Sequence, residues 1–153
     1  MAIPECGVYV VVNEEEIDVG ALTRLLGNPE CGAISSFLGV TRNNFQGKRV
    51  LRLEYDAYRP LAEKQMRLIG REAKGKWPGL HGVAMQHRVG TVPVTEASVA
   101  ILASSVHRRD SLEAVQWMID ELKSTVPIWK KEVYDDGEVW KENCECQKNF
   151  HRS

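Results

Sequence analysis

Long apolar runs are missing from this sequence. No stretch of its 153 residues approaches the roughly 20 consecutive apolar side chains that a membrane-spanning helix requires. The opening MAIPECGVYVVVNEEEI has neither a basic leader nor a long apolar segment behind it, so a cytosolic protein is expected. Charge of one sign is missing as well: 20 Lys+Arg against 21 Asp+Glu leave a formal net charge of −1. That balance removes the electrostatic drive for general nucleic-acid binding, so any anion must be held by a local cluster. There is no aromatic-rich basic strand of the kind an RNA-binding α/β module presents. Cysteine is scarce. Cys6, Cys31, Cys144 and Cys146 lack the CxxC pairs or histidine partners of a zinc site, and a chain of this size needs no disulfide staples, so reduced thiols are expected. GxSxG, the P-loop and GxGxxG are all absent, which leaves serine hydrolase, P-loop nucleotide and dinucleotide functions without motif support.

What is present is the patterning of one mixed α/β domain over residues 1–153, with 143–153 expected as a flexible tail carrying Cys144 and Cys146. Val8 to Val12 is a β-branched run, and Glu15 to Leu26 places Ile17, Ala21, Leu22, Leu25 and Leu26 at helical spacing before Gly27. Cys31 to Val40 predicts a strand, TRNNFQGKR a polar loop and Val50 to Tyr58 a second strand, the two strands pairing across that loop. Pro60 opens a helix whose stripe of Leu61, Met66, Ile69 and Ala73 runs to Gly75. LHGVAMQHRVG and EASVAILASSV predict strands separated by Thr91 to Thr95, the latter apolar enough to lie centrally in a sheet. Asp110-Ser-Leu-Glu113 matches a capping box for a third helix, which Pro127 ends near Ser124 or Thr125. PIWKKEVY and GEVWKE flank Asp135-Asp136-Gly137, the signature of a terminal β-hairpin.

Two places in this pattern could carry chemistry. His107-Arg108-Arg109 stands between a buried strand and a helix N-terminus, where free N–H groups, the helix dipole and bidentate arginine contacts favour a phosphate. The same residues also suit a solvated basic turn paired with Asp110 or Glu113, and at this point both remain open. Lys123 ends a helix and Lys130 begins a strand, so the corner at Pro127 could aim two amines into one cleft for proton transfer or attack on an acyl carbon. A helix-end lysine can equally just complement the dipole. Arg42, at the end of Gly39-Val40-Thr41, is a further candidate anion contact, and His87 in HRVG suits a structural histidine.

GAISSFLGVTR (Gly32 to Arg42), LEYDAY (Leu53 to Tyr58), HRVG (His87 to Gly90), SSVHRRDSLEA (Ser104 to Ala114) and LKSTVPIWKKE (Leu122 to Glu132), with G-x-x-W at Gly137 to Trp140, occur in order over most of the chain. Together they resemble the large, catalytic subunit family of molybdopterin synthases, LK-x-x-x-PIWKKE after a capped helix being the specific part. The resemblance implies an α/β hammerhead fold with a C-terminal β-hairpin, and a homodimer of large subunits inside a heterotetramer. Each large subunit would bind a ubiquitin-like small subunit whose C-terminal Gly-Gly tail carries a thiocarboxylate. Sulfur would pass from that tail to cyclic pyranopterin monophosphate, in two transfers, to make the molybdopterin dithiolene.

The same resemblance implies the catalytic lysines Lys123 and Lys130, the substrate-binding pair His107 and Arg108, the loop arginine Arg42, and a substrate-contacting segment Lys130-Lys131-Glu132. It also implies no metal and no cofactor in this subunit, and a His-Arg pair that reaches the neighbouring protomer's pocket. A scaffold that binds the tail without turnover would be expected to lack one of the lysines or the His-Arg pair, and this sequence has both.

Overall fold

Alternating burial divides the strands of this protein between two faces, and that division sets its layers. The computed structural model describes residues 2–137 and 139–142. In order, the elements are β1 (Val8–Asn13), α1 (Val19–Leu25), β2 (Ala33–Val40), β3 (Asn44–Phe45), β4 (Lys48–Ala57), α2 (Arg59–Lys76), β5 (Leu80–Arg88), β6 (Gly90–Pro93), β7 (Ala97–Ser105), α3 (Arg108–Thr125), β8 (Ile128–Tyr134) and β9 (Val139–Glu142).

The first sheet runs β1-β5-β7-β2, with β1 parallel to β5 and the other neighbours antiparallel. β5 and β7 lie at its centre and are buried on both faces, as their near-continuous apolar runs require. Ala84, Ala100 and Leu102 point to one face and pack beneath Leu22 and Leu26 of the α1 region. Val83, Met85, Ile101 and Ala103 point to the other, beneath Met66 and Ile69 of α2 and Met118 and Leu122 of α3. Full burial of one such side chain contributes about 1.5–3 kcal/mol. Gly70 lets α2 come down onto β1: a Cβ there would stand 2.6 Å from Val8 Cγ1.

The second sheet is built around β4, which pairs with β3 through Lys48 and Arg49, with β6 through Arg52 to Tyr55, and with β8 along Val50 to Ala57. The expected pairing of the strand before Val40 with the strand after Val50 does not occur. β2 is taken up by β7, while the chain turns at Gln46 and Gly47, both at positive φ (52° and 81°), and returns as a tight β3–β4 hairpin. The polar loop thus contains a strand, and so does the separator Thr91 to Thr95, whose first residues belong to β6.

Two helix starts also differ from expectation. α1 begins at Val19 and not Glu15, because Asp18 is its N-cap and accepts from the Ala21 N–H at 3.0 Å. α3 is capped at His107, so the Asp110 capping box does not form. Ser105 does the work from outside the helix. Its hydroxyl donates to the His107 carbonyl (2.5 Å) and accepts from the Ser111 N–H (3.2 Å), while Ser111 Oγ meets Ser35 Oγ at 2.7 Å. α3 ends at Thr125 before Pro127, and β8 and β9 form the terminal hairpin across Asp135-Asp136-Gly137, both as the sequence predicts.

Cys6 and Cys31 are free thiols. The expected tail 143–153, with Cys144 and Cys146, lies outside the described residues. Among the described residues no helix is long and apolar enough to cross a membrane.

Candidate active site

Lys123 stands in the last turn of α3. Val126 leaves the helical region ahead of Pro127, and the chain reverses into β8, which carries Lys130 back past the helix end. Both lysines line one cavity of about 320 Å³, bounded by the end of β2, β3, the end of β5, the start of β7, the end of α3 and the inner face of β4 and β8. Arg42, two residues beyond β2, lines it too. Four of the expected residues, Arg42, Lys123, Lys130 and Glu132, are thereby brought together, Arg42 from about 80 residues earlier in the chain.

Period-two alternation along β8 sorts the rest. Lys130, Glu132 and Tyr134 share a face; Lys131 points to the other, where its Nζ lies 3.2 Å from Glu54 Oε2 on the paired strand. The Glu54 carboxyl is held below its usual range, first by the Arg52 hydrogen bond and then by Lys131. Lys131 therefore braces the sheet outside the cavity. Glu132 is buried in the cavity wall, its Oε1 3.5 Å from Lys130 Nζ and its Oε2 accepting from the Tyr134 hydroxyl at 2.5 Å. That carboxylate pushes the Tyr134 phenol up to about 12, so it remains a donor at neutral pH. With both oxygens engaged, Glu132 is placed to orient Lys130.

His87 projects from β5 into the same cavity and meets the Tyr55 ring edge-on, centroids 5.1 Å apart. Its Nδ1 lies 2.9 Å from the Arg88 carbonyl, which can only accept, so the proton sits on Nδ1. Burial pushes its pKa down to about 4, and the imidazole is neutral at pH 7.

His107 and Arg108 are not part of this cavity in one protomer. Both are exposed at the opposite end of α3, and fifteen residues of helix separate Arg108 from Lys123 by about 22 Å. Neither of the two alternative ion pairs expected for the basic turn involves Arg108; it is Arg109 that pairs with Glu113, at 3.0 Å. Sequence reasoning left His87 as a structural residue and did not single out Tyr134. The alternation Lys130, Glu132, Tyr134 was the available signal for the latter.

Two lysines, an arginine and a neutral imidazole line one partly open cavity, an arrangement whose charge suits an anionic ligand, set on an α+β scaffold of two sheets. The chain belongs to the MoaE protein family, whose model matches residues 12–125, a span that includes Arg42, His107, Arg108 and Lys123. A molybdopterin synthase catalytic subunit from Taeniopygia guttata is 51% identical over 138 residues, covering 90% of this chain and 89% of the relative. One from Homo sapiens is 53% identical over 132 residues, covering 86% and 70%. The crystal structure of molybdopterin synthase from Staphylococcus aureus superposes with a TM-score of 0.82 at 35% identity, covering 86% of this chain and 95% of that one.

Proposed function

We propose that this chain is the catalytic subunit of a molybdopterin synthase, acting in the cytosol. It takes sulfur from the C-terminal thiocarboxylate of a ubiquitin-like small subunit and delivers it to cyclic pyranopterin monophosphate, building the dithiolene of molybdopterin. The observation that carries this reading is the convergence of Lys123 and Lys130 on one cavity with Arg42 at its rim. The thiocarboxylate sulfur bonds to a carbon of the precursor, giving a thioester; a water then adds to the carbonyl carbon, negative charge grows on the carbonyl oxygen, and the C–S bond breaks to leave sulfur on the precursor and a carboxylate on the tail. That chemistry needs a cation close to the oxygen and a group able to move a proton, in a site that excludes bulk water.

The two lysines divide these tasks. Lys130 is paired to a buried carboxylate that is itself held by Tyr134, an arrangement suited to a fixed positive charge that orients substrate and steadies the oxyanion. Lys123 is more exposed and comes from a different element, an arrangement suited to acid/base work and attack at the acyl carbon. Arg42 serves the phosphate. His107 and Arg108 complete the anion site of a second protomer, which requires two large subunits back to back, and one small subunit per large subunit gives a heterotetramer.

The test is to mix the chain with a thiocarboxylated small subunit and cyclic pyranopterin monophosphate and assay for the dithiolene product. Product is expected with the wild type. Lys123→Ala should nearly abolish it while leaving the melting temperature and small-subunit binding intact, since a helix-end lysine contributes only about 0.3–1 kcal/mol through the dipole. A folded, complexed wild type that makes no product would sink the proposal.

A further inference from the structure

The groups that project into the cavity as cations, Arg42, Lys123 and Lys130, can only donate hydrogen bonds, and the Glu132 carboxylate is already engaged by Lys130 and Tyr134. His87 is different. It is 5% exposed, and its tautomer is fixed by the Arg88 carbonyl, so the unprotonated Nε2 lies on the far side of the ring with no partner among the described residues. Tyr55, edge-on to the ring, blocks rotation of the imidazole out of the wall. Because His87 lines the cavity, Nε2 is an acceptor offered to whatever fills it, and a neutral acceptor neither repels a phosphate nor competes for it.

From this geometry we infer that His87 is a specificity residue whose Nε2 accepts a hydrogen bond from an N–H of the substrate's heteroaromatic ring. The inference rests on the function proposed above: the pterin half of the precursor carries ring N–H and exocyclic amino donors, while its phosphate end is suited to the cations. His87 then reads the ring and the cations read the charge. Burial supports the assignment, because it holds the imidazole pKa near 4 and keeps Nε2 an acceptor over the whole physiological range.

Two substitutions separate this role from a structural one. In His87→Asn the amide N–H can replace Nδ1 toward the Arg88 carbonyl, but nothing replaces Nε2. In His87→Gln the side-chain oxygen can reach the Nε2 position, but the Nδ1 donor is lost. Binding of cyclic pyranopterin monophosphate is measured by titration calorimetry on the complex with a small subunit ending in an ordinary carboxylate, so that no turnover intervenes. Binding roughly tenfold weaker than wild type is expected for His87→Asn, the size of one lost neutral hydrogen bond, with His87→Gln close to wild type. Wild-type affinity in His87→Asn, an equal loss in both, or a greater loss in His87→Gln would each overturn the inference. A wild-type complex that binds no precursor would instead bring down the function on which the inference rests.

Discussion

One carboxylate, that of Glu132, joins Lys130, which lines the cavity, to Tyr134, which does not. Tyr134→Phe removes a hydrogen bond to a charged acceptor, typically worth about 1.5–3 kcal/mol, and frees Glu132 to turn away from Lys130. Lower thermal stability together with reduced sulfur transfer is expected, with small-subunit binding unchanged. Full turnover in a destabilised variant would show that the tyrosine supports the fold alone. His87 sets a pH dependence of stability. Its folded pKa of about 4 lies below the unfolded value of about 6.5, so the unfolded chain takes up a proton first as pH falls. The stability present above pH 6.5 is lost on the way down to about 4, roughly 2 kcal/mol of it by about pH 5. Melting temperatures at about pH 7.5 and about pH 5 should therefore differ more in the wild type than in His87→Gln; equal differences would contradict a buried neutral imidazole. At this scale the sequence was legible where a residue's neighbours are local, as at the Lys123-Pro127-Lys130 corner. It showed His87 only as a structural histidine, because its neighbour Tyr55 comes from another sheet.

Elements were legible where burial is periodic over many residues. α2, α3, β5, β7 and the terminal hairpin could all be read from their apolar spacing and their Pro, Gly or Asp-Gly punctuation. β3 and β6 are two and four residues long, too short for alternation to register against polar surroundings. The pairing of β2 escaped because strands close in sequence usually pair with each other, and here a hairpin inserted between them satisfies β4 first. Gly70 tests the packing of elements directly. An alanine in the middle of a helix ordinarily gains about 1 kcal/mol over glycine, but here the new methyl would sit 2.6 Å from Val8. Gly70→Ala is therefore expected to destabilise the protein, by about 1–3 kcal/mol, as α2 is lifted from β1. A raised melting temperature would mean that the contact relaxes without strain.

At the scale of the whole molecule, the distance between the two ends of α3 has a measurable outcome. If His107 and Arg108 of one protomer complete the cavity holding Lys123 of the other, inactive Arg108→Ala and Lys123→Ala chains should complement each other when their dimers are allowed to exchange. Random pairing makes half the dimers mixed, each with one intact site, so about a quarter of wild-type turnover should return. No recovery in demonstrably mixed dimers would place the His-Arg pair outside the catalytic unit. The cavity has one further consequence, for time and not for energy. Its walls come from β2, β4, β5, β7, α3 and β8, and the β4–β8 ladder joins Leu53 to Glu132, roughly 80 residues apart. During synthesis all four strands of the first sheet, with α1 and α2, emerge before β8, whereas the second sheet is completed only when β8 pairs with β4. The nascent chain thus acquires its scaffold before its cavity is closed, and a truncated product lacking β8 would lack the wall that carries Lys130 and Glu132.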